Sequence, residues 1–92
     1  MTSYEFEVIC KNEIIKELSE KYCENYKIED IHTVWQCKTL QNMKCILCDS
    51  GENLRLYECT YNGNKKELYV DIYIKKCNTK VMQKDFNKVV KR

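Results

Sequence analysis

The stretch from Leu54 to Lys76 restricts the fold more than any other part of the chain. Leu54–Tyr61 and Lys66–Ile74 alternate apolar and polar residues on either side of Asn62-Gly63-Asn64-Lys65. That pattern predicts two antiparallel strands joined by a tight turn. Leu68, Val70, Ile72 and Ile74 then share one face, and Tyr69, Asp71, Tyr73 and Lys75 the other. A loop of two or four residues sets the apolar face opposite Tyr57, Cys59 and Tyr61, whereas three would oppose Leu68 to Glu58. The second face holds Leu54, Leu56, Tyr69 and Tyr73 among Glu58, Asp71 and Lys75, which is more apolar than solvation alone requires.

The remaining residues bound what surrounds this hairpin. A chain of 92 residues makes one domain, 1–92. No apolar run nears the roughly 20 residues of a membrane span, so no membrane partner is expected. The opening Met-Thr-Ser-Tyr-Glu-Phe-Glu has neither the basic start nor the apolar stretch of a signal peptide. The expected location is therefore the cytoplasm, where thiols stay reduced. Seven irregularly spaced cysteines agree, because an odd number cannot close a disulfide framework. Alanine and proline are absent, and two arginines stand against fourteen lysines. Residues with GC-rich codons are thus depleted, which suggests an AT-rich microbe or a phage living in one. Charge is unevenly spread: residues 1–30 carry −4, residues 31–74 balance, and residues 75–92 carry +6. The basic end would attract an anionic partner.

Tyr4, Phe6 and Val8 alternate with Glu5 and Glu7, which predicts a first strand over 4–10. Asn12 is a suitable N-cap for a helix over about 12–27, with Ile14, Ile15, Leu18, Tyr22 and Tyr26 on one arc and charges on the other. Ile28–Ile31 connects to strands His32–Leu40 and Met43–Asp49, joined at Gln41-Asn42. In the first of these, Thr33, Trp35 and Cys37 share one face, and His32, Gln36 and Lys38 the other. Thr79 can cap a last helix over about 80–91, striped by Met82, Phe86, Val89 and Val90. The expected class is α+β, in the order β-α-β-β-β-β-α. An antiparallel sheet of four to five strands carries one amphipathic helix across it and a short C-terminal helix. Ile14, Leu18, Tyr22, Val70, Ile72 and Ile74 form the expected core. This order resembles the cystatin and monellin arrangement in topology alone, since the Gln-Val-Val-Ala-Gly loop of cystatins has no counterpart here.

Four chemistries compete. Cys45-Ile-Leu-Cys48, completed by Cys37 and Cys59, is a candidate four-thiolate zinc site. The objection is that residues 45 and 48 point to opposite faces of a regular strand. Catalysis has little to stand on, with His32 the sole histidine and Gly51 and Gly63 isolated, so no enzyme is expected. A nucleic acid or anionic nucleotide would be met by Lys76, Lys80, Lys84, Lys88, Lys91 and Arg92, with Tyr69 and Tyr73 as a stacking platform. A protein partner, the leading expectation, would bind Leu54, Leu56, Glu58, Tyr69, Asp71, Tyr73 and Lys75. A C-terminal helix laid on that face would instead bury it, because Met82, Phe86, Val89 and Val90 also need cover. A homodimer through an unpaired edge strand, 4–10 or 43–49, is a further expectation. The reading is a noncatalytic binding protein without a cofactor, most concretely a phage inhibitor of a host defence system of the anti-CRISPR kind.

Overall fold

The computed structural model describes residues 1–51 and 55–88, with Asn87 and Lys88 described by their backbone alone. One α-helix, α1 (Ser3–Tyr22), lies on an antiparallel sheet of β1 (Ile31–Thr39), β2 (Asn42–Asp49), β3 (Arg55–Asn62) and β4 (Glu67–Ile74). The strands pair in sequence order, β1-β2-β3-β4. Two 3-10 turns, Ile28–Asp30 and Gln83–Lys88, complete the described elements. The class is α+β, with the sheet at the lower end of the expected strand number. No helix among the described residues is long and apolar enough to cross a membrane.

The expected strand over 4–10 is the first half of α1. Tyr4, Phe6 and Val8 do alternate, but Phe6 and Cys10 extend the four-residue spacing of Ile14 and Leu18 backwards. All four are essentially fully buried, and twenty helical residues bury more through this stripe than an edge strand would. A capping box starts the helix well before Asn12. The Glu5 backbone N–H donates to Thr2 Oγ1 (3.1 Å), and the Thr2 N–H donates to Glu5 Oε1 (3.0 Å). Asn12 is instead inside the helix, its amide donating to the Val8 carbonyl (3.0 Å). Cys23 ends the helix in the left-handed region at φ 55°, and the Glu24 N–H returns to the Leu18 carbonyl (3.1 Å). Tyr26 therefore leaves the helix, although it still packs on the core.

The core joins the α1 stripe to Ile31, Met43, Cys45, Leu47, Tyr57 and Cys59, flanked by Tyr61, Leu68, Val70 and Ile72. Tyr22 and Ile74, expected within it, are exposed. Tyr57 faces Ile72, Cys59 faces Val70, and Tyr61 faces Leu68. The loop is thus Gly63–Lys66, four residues, with the expected faces. Asn62 Oδ1 holds it by accepting from the Asn64 and Lys65 N–H groups (3.0 and 3.2 Å). A Cβ on Gly63 would lie 2.2 Å from the Gln41 carbonyl of the neighbouring turn, so only glycine fits there.

Strand β1 departs from regular alternation. Thr33 pairs with Leu47 and Trp35 with Ile46, leaving Val34 as the extra residue of a bulge. Thr33 therefore lies on the helix side and Trp35 on the opposite side, not together as alternation predicts. Residues 75–82 are exposed and without regular structure, and the expected helix over 80–91 is reduced to the 3-10 turn where it is described. Val89, Val90, Lys91 and Arg92 lie outside the described residues.

Two substitutions test this packing in urea unfolding. Thr2→Ala should cost about 1 kcal/mol through the lost cap. Gly63→Ala should cost about 2 kcal/mol by pushing two turns apart.

Candidate functional site

Antiparallel pairing gives the sheet two unlike faces, and α1 covers the inner one. On the outer face β3 and β4 place Leu56 opposite Tyr73, Glu58 opposite Asp71 and Thr60 opposite Tyr69. β2 adds Lys44, Ile46 and Cys48 to the same side, and the β1 bulge adds Trp35. The expected protein-binding residues Leu56, Glu58, Tyr69, Asp71 and Tyr73 are thus brought together. Lys75 follows at the exposed end of β4, and Leu54 lies outside the described residues. Trp35, Leu56, Tyr69 and Tyr73 are 49, 41, 53 and 50% exposed, so the described residues of the C-terminal segment do not cover this face. Beside Trp35 runs a groove of about 410 Å³ lined by Cys37, Thr39, Lys44 and Thr60.

The charges on this face are unusual. Glu58 and Asp71 sit directly across β3 and β4, where like charges repel. Lys44 pairs with Glu58 (Nζ–Oε1 3.1 Å), but among the described residues Asp71 has no ion-pair partner. Glu67 accepts from the Tyr69 hydroxyl and pushes that phenol above its usual range. Counting Lys44, Glu58, Glu67 and Asp71, the face is net acidic.

A second cluster anchors the end of the sheet near the close of α1. Arg55, whose side chain is 5% exposed, donates through Nη2 to both carboxylate oxygens of Glu24, and its guanidinium lies 4.9 Å from the Tyr22 ring centroid. Its Nη1 is buried without a hydrogen-bond partner. In a chain with fourteen lysines, an arginine here suits a planar contact to a carboxylate and a ring. The Arg55 hydrogen bond holds the Glu24 carboxyl below the usual carboxylate range. Buried Tyr57 donates to Asp49, and burial followed by that hydrogen bond pushes its phenol upward. Sequence patterning misses this cluster because Glu24 and Arg55 are brought together only by the fold.

The zinc expectation is corrected by the sheet. Cys45 and Cys59 face each other on the inner side and are fully buried. Cys37 and Cys48 lie half-buried on the outer side, where they pair with Lys44 and Leu56. The sheet separates the two pairs, so the four thiols cannot share one ion. The inner pair meets Cys10 instead. Hydrogen bonds with Cys45 and Cys59, together with burial, push the Cys10 thiol far upward and keep it protonated. Among the described residues no group of three or more Cys, His, Asp or Glu side chains is placed to hold a metal.

His32 Nε2 lies 2.7 Å from Ser50 Oγ, a pairing that resembles a nucleophile and its base. The Ser50 hydroxyl, however, spends its proton on the Asp30 carbonyl (3.2 Å), which leaves it to accept from His32. That polarity is the reverse of serine activation. Of the basic set, Lys76, Lys80 and Lys84 are exposed along the C-terminal segment. The side chain of Lys88 and all of Lys91 and Arg92 lie outside the described residues.

The chain belongs to a family described as "Family of unknown function (DUF6275)", whose model matches residues 7–83. That span takes in most of α1 and the entire sheet. No curated protein and no solved structure matches the chain.

The Glu24–Arg55 and Tyr57–Asp49 contacts at the sheet end give opposite pH limbs. Because Glu24 titrates below 4.5 when folded, its ionised form favours the native state above that value, and stability is lost as pH falls below it. Tyr57, raised above 10, contributes stability below pH 10 that is lost as pH climbs past it. Glu24→Gln should flatten the acid limb and Tyr57→Phe the alkaline limb of a urea-midpoint profile. Excess chelator should leave the unfolding transition unmoved, since the candidate thiols do not converge.

Proposed function

We propose that this chain is a noncatalytic binding protein that engages a partner protein through the outer face of its sheet. The observation that carries this reading is Asp71, set opposite Glu58 within a patch of exposed Trp35, Leu56, Tyr69 and Tyr73. Placing like charges across a ladder costs stability. Leaving three large aromatic rings exposed forgoes burial that would add stability. Both costs are recovered when a partner covers the rings and brings a cation to Asp71. Tyr69 and Tyr73 are the anchors; Glu58, Lys44 and Lys75 form the rim.

A sharper form of this reading makes the protein an inhibitor that occupies a surface of a host defence component, in the manner of an anti-CRISPR protein. Small size and AT-rich composition support that form. Seven unpaired thiols suit a reducing cytoplasm. The acidic outer face counts against nucleic acid there, because Glu58, Glu67 and Asp71 would repel phosphates next to any base stacked on Tyr69 or Tyr73. Among the described residues of the expected basic set, a nucleic-acid role would rest on Lys76, Lys80 and Lys84.

The test is capture of a partner by the full chain from the source cell, followed by titration of variants. Tyr69→Ala and Tyr73→Ala should each weaken capture by about 2 kcal/mol while moving the unfolding midpoint little, since both rings are half in solvent. Asp71→Lys should stabilise the fold by a few tenths of a kcal/mol, by relieving the repulsion, and yet lose the partner. If the tyrosine variants unfold, or capture persists in all three, the outer face is not the interface.

A further inference from the structure

The chain itself carries a segment complementary to the outer face. Residues 75–92 hold seven basic residues against Asp85, while the face they follow is acidic, with Asp71 lacking an ion-pair partner among the described residues. Within that segment Val81, Met82 and Phe86 are apolar and at least half exposed. The two surfaces are therefore opposite in charge and alike in apolar character.

Among the described residues they are not joined within one molecule. Tyr69 and Tyr73 remain exposed, as do Met82 and Phe86. The radius of gyration is 16.7 Å, against about 12 Å for a compact chain of this length. Residues 75–82 are exposed and without regular structure, and Val81, Met82 and Phe86 are at least half exposed. An unpacked arm that matches a face on its own chain is suited to a neighbouring copy, where two reciprocal contacts form under one two-fold axis.

We infer that the outer sheet face is the docking site for the basic, apolar C-terminal segment of a second copy, giving a dimer by exchange of residues 75–92. This rests on the outer face being a protein interface, and it names a partner for it. Met82 and Phe86 supply the apolar anchors that cover Leu56, Tyr69, Tyr73 and Trp35. The surrounding lysines bring positive charge to the Glu58–Asp71 pair. Any other protein that binds the face competes with the exchanged arm. This mode differs from edge-strand pairing, because it leaves the backbone edges of β1 and β4 unused.

Sedimentation of the full chain across concentrations, with circular dichroism to verify folding, tests the inference. The native chain should dimerise, and added salt should weaken the dimer. Phe86→Glu on the arm and Asp71→Lys on the face should each weaken self-association by about a thousandfold, because the two-fold axis removes the anchor at both reciprocal contacts. Asp71→Lys does so without loss of fold, which excludes unfolding as the cause. The decisive step mixes the two variants. One intact arm and one intact face then coexist in a heterodimer, so association should return in the mixture although neither variant self-associates. A native chain that stays monomeric at every concentration overturns the inference, and so does a dimer indifferent to Phe86→Glu. A monomer whose Trp35 fluorescence shifts on Phe86→Glu also overturns it, since the arm would then cover its own sheet. Association abolished by nuclease does the same, because the arm would then be occupied by nucleic acid. If Asp71→Lys breaks a dimer that Phe86→Glu leaves intact, the exchanged arm is wrong while the outer-face interface stands. If neither variant matters and partner capture persists in the tyrosine variants, both fail.

Discussion

The fold depends on a four-residue repeat in α1. Phe6, Cys10, Ile14 and Leu18 make one narrow apolar stripe, and the inner face of a four-stranded sheet supplies Cys45, Leu47, Tyr57 and Cys59 beneath it. Small thiols at the centre let the helix approach closely, while Phe6 and Leu18 fill the wider ends of a twisted sheet. The three central thiols act as small apolar groups, packed against one another at the centre of the core. Because α1 is the one α-helix among the described residues, it covers one face of the sheet, and the other face goes without a layer.

That asymmetry explains the surface. In a two-layer domain of this size the solvent face of a sheet is usually polar. Here Trp35, Leu56, Tyr69 and Tyr73 occupy it, with two carboxylates set against each other among them. Salt bridges elsewhere follow the ordinary rules: Glu7–Lys11 and Glu17–Lys21 are i,i+4 pairs along α1. The rule against opposed like charges is broken at one place, within the most aromatic part of the outer face. Local choices that conflict with stability tend to collect where a protein binds, and the position of Asp71 fits that pattern better than solubility does, since any polar residue would have served.

The Arg55–Glu24 contact has a different weight. It ties the chain just after α1 to the start of β3, and so fixes how far the helix runs along the sheet. Arg55 gains Tyr22 and Glu24 but leaves Nη1 buried without a partner, so its net contribution is smaller than its contacts suggest.

Much of the sheet was legible from local pattern. Period-two alternation around Asn62-Gly63 assigned Tyr57, Cys59, Val70 and Ile72 to one face, because a register slip of one residue would bury Glu58. The same parity placed Tyr69, Asp71 and Tyr73 together, so most of the candidate site followed from the hairpin alone. The first ten residues were ambiguous, since Phe6 and Val8 satisfy a strand while Phe6 and Cys10 satisfy a helix. Thr2-x-x-Glu5 was the signal that distinguishes them. Other features depend on groups distant in sequence and have no local signature. The bulge at Val34 turns Trp35 outward, and the meeting of Glu24 with Arg55 needs the helix already docked. The separation of Cys37 and Cys48 from Cys45 and Cys59 requires a completed sheet to stand between them. Alternation and spacing act through neighbouring bonds and can be read along the chain. Which face a single helix covers, and which rings are left in water, is decided by packing two layers whose contacts no short stretch contains.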